Sequence, residues 1–147
     1  MRGEVGGGTS TFSRASSCTG TLDLVKRLTR DEAAGSGQPA DPTHFTGAVT
    51  QLPVHATSDP QSVRALRVEF KDGARTHWHT HSGGQVLHVI EGRGRTQVRG
   101  RQPVDLAPGD LVSVDPGEEH WHGAAEGAAM THLAISMGTT DWGGPPD

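Results

Sequence analysis

The sequence predicts an all-β protein, a sandwich or barrel of short strands. Segments that alternate between apolar and polar residues recur from residue 45 to residue 137. Turn signals such as Asp72-Gly73 and Pro108-Gly109 separate them about every ten residues. The 21 glycines and 9 prolines agree with many tight turns. This spacing is typical of a β-sandwich or β-barrel and not of a parallel α/β sheet.

The 147 residues suffice for one domain, which we expect to span residues 43–138. Residues 1–42 form an N-terminal extension that we expect to be mostly disordered, because glycine, serine and charged residues dominate it. Within it, Thr21–Glu32 is the candidate for a short helix docked on the barrel, and Ala33–Pro42 for a linker. Residues 139–147 form a C-terminal tail with Trp142 as its anchor.

Nine strands are expected between Phe45 and the tail. In the predicted strand Val63–Phe70, the side chains of Leu66, Val68 and Phe70 share one face. In the predicted strand Gln85–Glu91, Val86 and Ile90 lie on the face opposite Leu87 and Val89, so both faces carry apolar residues that should be covered. A second copy of the chain would cover the outer face. The strands are Thr46–Leu52, Val63–Phe70, Arg75–His81, Gln85–Glu91, Arg95–Arg99, Pro103–Leu106, Asp110–Val114, His120–Ala124 and Ala128–Met137. The sequence therefore predicts a homodimer.

Composition excludes several functional classes. The net charge of −4 and the lack of a basic run argue against nucleic acid or an anionic membrane as partner. No apolar segment approaches the roughly 18 residues that a membrane span requires, and no signal-peptide core is recognisable. The single cysteine, Cys18, excludes an internal disulfide framework. We therefore expect a cytoplasmic protein.

Histidines are concentrated in two short segments. His77, His79 and His81 alternate within a predicted strand, so their side chains should project to one face. The turn Pro116-Gly117 precedes a second pair at strand spacing, His120 and His122. Neutral imidazoles on a common face are suitable ligands for a divalent metal. The sequence therefore predicts a metal site inside the barrel. His77 lies one pleat deeper, where a structural role is favoured over that of ligand or base.

Two spaced motifs resemble those of the cupin family. Gly73, His79-Thr80-His81, Gln85 and Gly92 match the first motif, and Gly109 followed by Pro116-Gly117-Glu118-Glu119-His120 matches the second. The resemblance implies a double-stranded β-helix, a jelly-roll-like barrel with one metal in its mouth, over about residues 45–137. The family's first motif usually carries Glu where this chain has Gln85.

Further segments resemble the small bacterial cupins that include manganese-dependent hydroxynitrile lyases. They include Trp78-His79-Thr80-His81 and the segment from Met130 to Ala134. The resemblance implies the metal ligands His79, His81, Gln85 and His120, with His122 and His132 beside the metal. It also implies pocket positions at Leu66 and Val68, to which we add His77 and Met130. Manganese is the expected metal, and Fe, Co, Ni and Zn are compatible with the same ligands.

Three neutral imidazoles and a carboxamide would leave the full dipositive charge on the metal. Such an ion polarises a carbonyl or alkoxide oxygen more strongly than one bound by Glu. Proton transfer needs a group that titrates near neutrality, and His132 and then His122 are the candidates, either as base or as orienting partner. Arg75 and Arg95 are surface charges, although either could reach a substrate carboxylate.

Three functions agree with this site. The first is a metal-dependent lyase acting on a small carbonyl or cyanohydrin-type substrate. The second is a dioxygenase that uses Fe(II) or Mn(II), and the third is a non-catalytic module that captures a small ligand. Cyanide release from mandelonitrile, oxygen consumption, or stabilisation by a ligand without turnover would distinguish them.

Overall fold

A computed structural model describes residues 25–59 and 62–147. The described residues form thirteen strands and one helical turn. The elements are α1 (Arg30–Ala33), β1 (Gln38–Pro39), β2 (Phe45–Thr46), β3 (Val49–Ala56), β4 (Val63–Phe70), β5 (Arg75–Thr76), β6 (His79–His81), β7 (Gln85–Gly92), β8 (Gly94–Val98), β9 (Val104–Leu106), β10 (Leu111–Val114), β11 (His120–Ala124), β12 (Met130–Met137) and β13 (Thr140–Trp142). Apart from the single turn of α1, all of the regular secondary structure in the described residues is β, as the sequence predicts.

The strands form two antiparallel sheets. One sheet has the order β1-β3-β4-β12-β7-β10. The other has the order β13-β6-β11-β5-β2, with β8 also paired to β11 and β9 paired to β8. Strands distant in sequence are neighbours in space, for example β4 beside β12, in a register that pairs Val68 with His132. This topology brings the two histidine segments together, since His79 on β6 is the register partner of His120 on β11.

The space between the sheets is filled by the inward-facing residues of the long strands. Phe70, Leu87, Val89 and Met130 are at most 1% exposed. They alternate with more exposed residues, as a strand with one face towards the core requires. The predicted face of Leu66, Val68 and Phe70 is confirmed, and its inner end lies in the core. No helix of the described chain is long and apolar enough to cross a membrane.

The N-terminal segment differs from the predicted helix. Residues 25–29 are not helical, and α1 is a single turn that Thr29 caps through its hydrogen bond from the backbone of Glu32. Thr29 and Glu32 satisfy each other's backbone donors, so the turn begins at the cap and not at the apolar stripe upstream. The start of the predicted helix lies outside the described residues. β1 forms within the predicted linker, by pairing with β3.

Two further differences bear on the site. The predicted strand Arg75–His81 is divided into β5 and β6, because His77 and Trp78 bond to other segments, their backbone amides donating to His44 and Gly144 carbonyls. The predicted tail contains a strand, β13, which pairs with β6 and places Thr140 opposite His81. The C-terminal segment is thus part of the sheet that carries the histidines.

Candidate metal centre

Five histidines and one glutamine meet at the end of a cavity between the sheets. All six side chains are buried, with exposed fractions from 0% to 4%. They come from β6, β7, β11 and β12, and they are His79, His81, Gln85, His120, His122 and His132. The ring centroids of His79 and His120 are 4.3 Å apart, and those of His79 and His81 are 5.0 Å apart. The fold therefore brings together the predicted metal ligands and the predicted catalytic histidines.

Backbone carbonyls orient two of the rings. Nδ1 of His79 lies 2.8 Å from the His77 carbonyl, and Nδ1 of His120 lies 3.0 Å from the Glu118 carbonyl. A carbonyl only accepts hydrogen bonds, so each Nδ1 carries the proton and each Nε2 keeps its lone pair. Hydrogen bonds of this kind fix the tautomer and the ring orientation of histidines that bind metals.

Two acceptors face each other at Gln85. Its Oε1 lies 2.9 Å from Nε2 of His120, while its Nε2 donates to Ser136 Oγ at 2.9 Å. In this amide orientation both facing atoms present lone pairs, which repel one another unless a cation lies beside them. Ligands at right angles around an ion with bonds of about 2.0–2.1 Å are roughly 2.9 Å apart. The pair therefore has the spacing and the chemistry of two neighbouring metal ligands.

The environment of His81 also favours a bound cation. Its Nδ1 lies 3.0 Å from Thr140 Oγ1, and its Nε2 is buried without a hydrogen-bond partner among the described residues. A buried nitrogen with no partner costs free energy unless something binds it. The residues present thus fit a divalent cation.

Three histidines whose ring nitrogens lie close together differ slightly from the predicted ligand set. Those of His79, His120 and His122 all lie within 4.8 Å of one another, and among the described residues His81 is not part of this group. His122 is also bonded to His132, with Nδ1 of His122 3.0 Å from Nε2 of His132. His122 is therefore placed either to bind the ion itself or to stand beside it.

Burial keeps the histidines neutral. Burial, together with the neighbouring His120, lowers the pKa of His79 to about 2 and that of His81 to about 4. Burial lowers the pKa of His132 to about 4, and it holds that of His122 well below its ordinary value. A neutral imidazole has the lone pair that a metal or a proton requires, so these rings do not need to lose a proton first. The pKa values of His122 and His132 lie below the neutral range expected of a proton carrier, because both rings are buried.

The cavity beside the cluster has a volume of about 240 Å³. Leu66, Val68 and Ala134 form part of an apolar wall, and Trp142 stacks on His44, with ring centroids 4.3 Å apart. The lining residues are Asp41, His44, Phe45, Gln51, Arg64, Leu66, Val68, Thr76, His79, His81, Gln85, His122, Ala134, Ser136, Thr140 and Trp142. His120 and His132 are fully buried behind this lining. A compact organic molecule fits this space.

Comparison with known proteins identifies the family. The model of the cupin domain family matches residues 66–136. The chain is 50% identical over 111 residues to (R)-mandelonitrile lyase of Granulicella tundricola, a match that covers 76% of this chain and 82% of that protein. The chain is a cupin. A cupin-like protein from Thermotoga maritima of known structure is 37% identical to it, with a TM-score of 0.69 over 74% of this cupin and 86% of that chain.

A further relative of this cupin belongs to another enzyme class. Acireductone dioxygenase of Granulibacter bethesdensis is 31% identical over 100 residues, which cover 66% of this chain and 53% of that protein. The cupin thus spans about half of that relative's length. The relatives are named as a lyase and a dioxygenase, and both support the prediction that the chain is an enzyme.

Two predicted pocket residues lie elsewhere. His77 was placed on the ligand face by assuming an unbroken strand, but the interruption at His77 and Trp78 puts Thr76 in the cavity lining instead. Met130 is 1% exposed and packs in the core with Phe70 and Val89, not in the cavity lining. Neither residue lines this cavity, whereas Leu66 and Val68 do, and the pocket roles of all four stay predictions.

Several residues that line the cavity are not among the predicted site residues. Arg64 lies two positions before Leu66, and Ser136 lies two positions after Ala134, so strand alternation places each on an inward face that was already identified. Thr140 and Trp142 required knowledge that the tail pairs with β6. Arg75 and Arg95, the arginines considered for substrate contact, are absent from the lining, and Arg95 pairs with Asp105.

Proposed function

We propose that this cupin binds one divalent metal and, when loaded, cleaves cyanohydrins into a carbonyl compound and hydrogen cyanide. The proposed ligands are His79, His81, Gln85 and His120, and the proposed metal is manganese. The observation that carries the proposal is a buried cluster of neutral imidazoles and one carboxamide beside an apolar cavity. It occurs in a chain half identical to a protein named as (R)-mandelonitrile lyase.

A bound divalent ion acts as a Lewis acid that stabilises negative charge on a substrate oxygen. The protein would supply only neutral ligands, which do not reduce the positive charge of the ion. Gln85 contributes a neutral oxygen, and Ser136 fixes its amide at 2.9 Å. The apolar wall at Leu66, Val68 and Ala134 would receive the organic group of the substrate and keep water from it.

His122 and His132 are the proposed proton carriers. His122 lines the cavity, and its Nδ1 lies 3.0 Å from Nε2 of the buried His132. A neutral His122 can accept the proton of a cyanohydrin hydroxyl as the bond between carbon and cyanide breaks. Because burial lowers its pKa, His122 would pass that proton to the departing cyanide instead of retaining it.

The test measures cyanide release from mandelonitrile together with metal content. We expect the manganese-loaded protein to release cyanide, and chelation to abolish the release. His81→Ala should lower both the metal content and the rate, whereas His132→Ala should lower the rate and leave the metal content intact. Gln102→Ala, in the exposed loop before β9 and outside the proposed dimer contact, is the control and should change neither.

A loaded protein without cyanide release would contradict the lyase proposal. Stoichiometric metal in His81→Ala combined with loss of metal in His122→Ala would replace His81 by His122 in the ligand set. Saturable ligand binding without turnover would instead support a binding module.

A dioxygenase is the second candidate, favoured by the relative named as acireductone dioxygenase. That function requires the same histidines to hold iron or another redox-active ion. It predicts oxygen consumption by the iron-loaded protein with an electron-rich enediol or diketone. Cyanide release that is unaffected by removing oxygen would favour the lyase.

We also propose a homodimer, with the outer face of the β3-β4-β12-β7 sheet as the contact. Val54 is 51% exposed and Ile90 is 41% exposed, and both lie with Leu133 in one groove, whose lining also includes Val25, Leu28 and the basic residues Lys26, Arg27 and Arg67. A second copy would cover this face, and Ile90→Glu should shift the sedimentation coefficient to that of a monomer. Arg93→Glu lies outside the groove and is the matched control. Cytoplasmic localisation stays a prediction.

A further inference from the structure

Arg64 places a positive charge on the inward face of a barrel strand. In β4 the residues Arg64, Leu66 and Val68 alternate, so all three side chains point to the same side, and all three line the cavity. Val68 is buried, whereas Arg64 is half-buried near the open end. The register places it opposite Ser136 of β12, the residue that holds the Gln85 amide.

The guanidinium of Arg64 reaches across the cavity mouth to β13. Its Nη2 donates to Thr140 Oγ1 at 2.6 Å, and the same oxygen lies 3.0 Å from Nδ1 of His81. Two hydrogen bonds therefore separate the guanidinium from a proposed metal ligand.

No carboxylate of the described chain forms an ion pair with Arg64. Other half-buried or exposed arginines have one, as Arg67 does with Glu69 on the opposite face of the same strand and Arg95 does with Asp105. Asp41 is the single acidic residue in the described cavity lining, and its Oδ1 is bonded to the backbone and hydroxyl of Thr43. A guanidinium has five donors in a planar fork, and Thr140 accepts from one nitrogen.

We propose that Arg64 forms an anion subsite at the rim of the cavity and that the substrate of this site carries a carboxylate. The inference rests on the proposed function for the reacting end of the substrate. The carboxylate would bind the free donors of Arg64, in the bidentate geometry that guanidinium favours. The carbonyl or hydroxyl oxygen would then point at the histidine cluster, within the length of a small acid.

The test compares two ligands of the same shape that differ in charge, mandelate and mandelamide. We expect the manganese-loaded protein to bind mandelate about tenfold or more tightly than mandelamide in isothermal titration. Arg64→Gln should remove most of this preference, and Arg64→Lys should keep part of it because the charge remains. Arg95→Gln, which removes an exposed arginine of β8 outside both the cavity lining and the groove proposed as the dimer contact, is the matched control and should keep all of it.

The same titrations in the chelated protein separate Arg64 from the metal, because a carboxylate can also bind the ion. The preference for mandelate should persist without metal and should still depend on Arg64. An unchanged preference in Arg64→Gln, in a variant that melts cooperatively and holds metal as the wild type does, would overturn the proposal. Mandelate binding that chloride or phosphate abolishes at equal concentration would likewise reduce the subsite to non-selective anion binding and overturn the carboxylate assignment.

Failure of the subsite and failure of the lyase are distinguishable. Cyanide release that Arg64→Gln leaves unchanged, with no charge preference, refutes the subsite and leaves the lyase standing. An Arg64-dependent preference in a protein that releases no cyanide supports the subsite and refutes the lyase. Under the combined proposal, a cyanohydrin that bears a carboxylate should have a lower KM than mandelonitrile, and Arg64→Gln should remove that difference.

Discussion

The buried histidines should make the stability of the metal-free protein depend steeply on pH. His81 and His132 are 4% and 0% exposed, and the pKa of each is lowered from 6.5 to about 4. Unfolding restores the ordinary value. Between pH 6.5 and pH 4 these histidines therefore bind protons in the unfolded chain but stay neutral in the folded chain. The free energy of unfolding consequently decreases as the pH falls.

The magnitude follows from the two pKa values. Lowering the pH from 7 to 5 costs about 2 kcal/mol for each such histidine. His81 and His132 together would remove about 4 kcal/mol, a large part of the 5–15 kcal/mol typical of a folded domain. His79, His120 and His122 shift in the same direction and add to the loss. For a folded domain of roughly a hundred residues, Tm should fall by more than about 10 °C.

The assay is thermal unfolding of the chelated protein at pH 7, 6 and 5 at constant ionic strength. His132→Gln removes one buried titrating ring, so its loss between pH 7 and pH 5 should be smaller by about 2 kcal/mol. His88→Gln removes an exposed ring and is the control for the loss of a histidine as such. A Tm that is constant from pH 7 to pH 5, or a His132→Gln variant with the wild-type slope, would refute the assignment of neutral buried histidines.

Three further predictions concern the environment of the metal. Gln85→Glu should cancel one unit of charge, so the protein should retain manganese at higher chelator concentration and release cyanide at least about tenfold more slowly. Thr140→Val removes the partner of His81 Nδ1, so metal affinity in a competitive chelator titration should fall by about tenfold to a hundredfold. Gly123→Ala would place a methyl group 2.5 Å from the Arg75 Cα, so unfolding in urea should require about 1–3 kcal/mol less, while Gly144→Ala, whose methyl group would meet open space, should not change it.

Much of the barrel was predictable because alternation and turns are local. Val63–Phe70 and His120–Ala124 were predicted with their observed bounds, and the other predicted strands overlap observed ones. The break between β5 and β6 was not predictable in this way. It depends on the hydrogen bonds of His77 and Trp78 to His44 and Gly144, residues that are distant in sequence. The same limit explains why the pairing of the tail with β6 was missed.

The side-chain directions of the site residues were predictable within uninterrupted strands, where alternation decides which face of the sheet a residue occupies. His79 and His81 share the ligand face because nothing interrupts β6 between them, whereas the misplacement of His77 arose from extending that alternation across an interruption. Arg64 shows the opposite case. The alternation that puts Leu66 and Val68 on one face continues to Arg64, so the face of Arg64 could be predicted once the resemblance had assigned Leu66 and Val68 to the pocket.

The distribution of charge connects the metal to the substrate. The proposed ligands are all neutral, Arg64 adds a positive charge at the rim, and Asp41 is the one acidic side chain in the described lining. A divalent ion bound by these neutral ligands would keep its full positive charge, so no ligand would weaken its attraction for an anion in the cavity. An anionic substrate gains from both charges at once, at its carboxylate and at the oxygen that becomes negative during reaction. The same positive charges would then favour the binding of an anionic substrate and stabilise the negative charge that develops on its oxygen during the reaction.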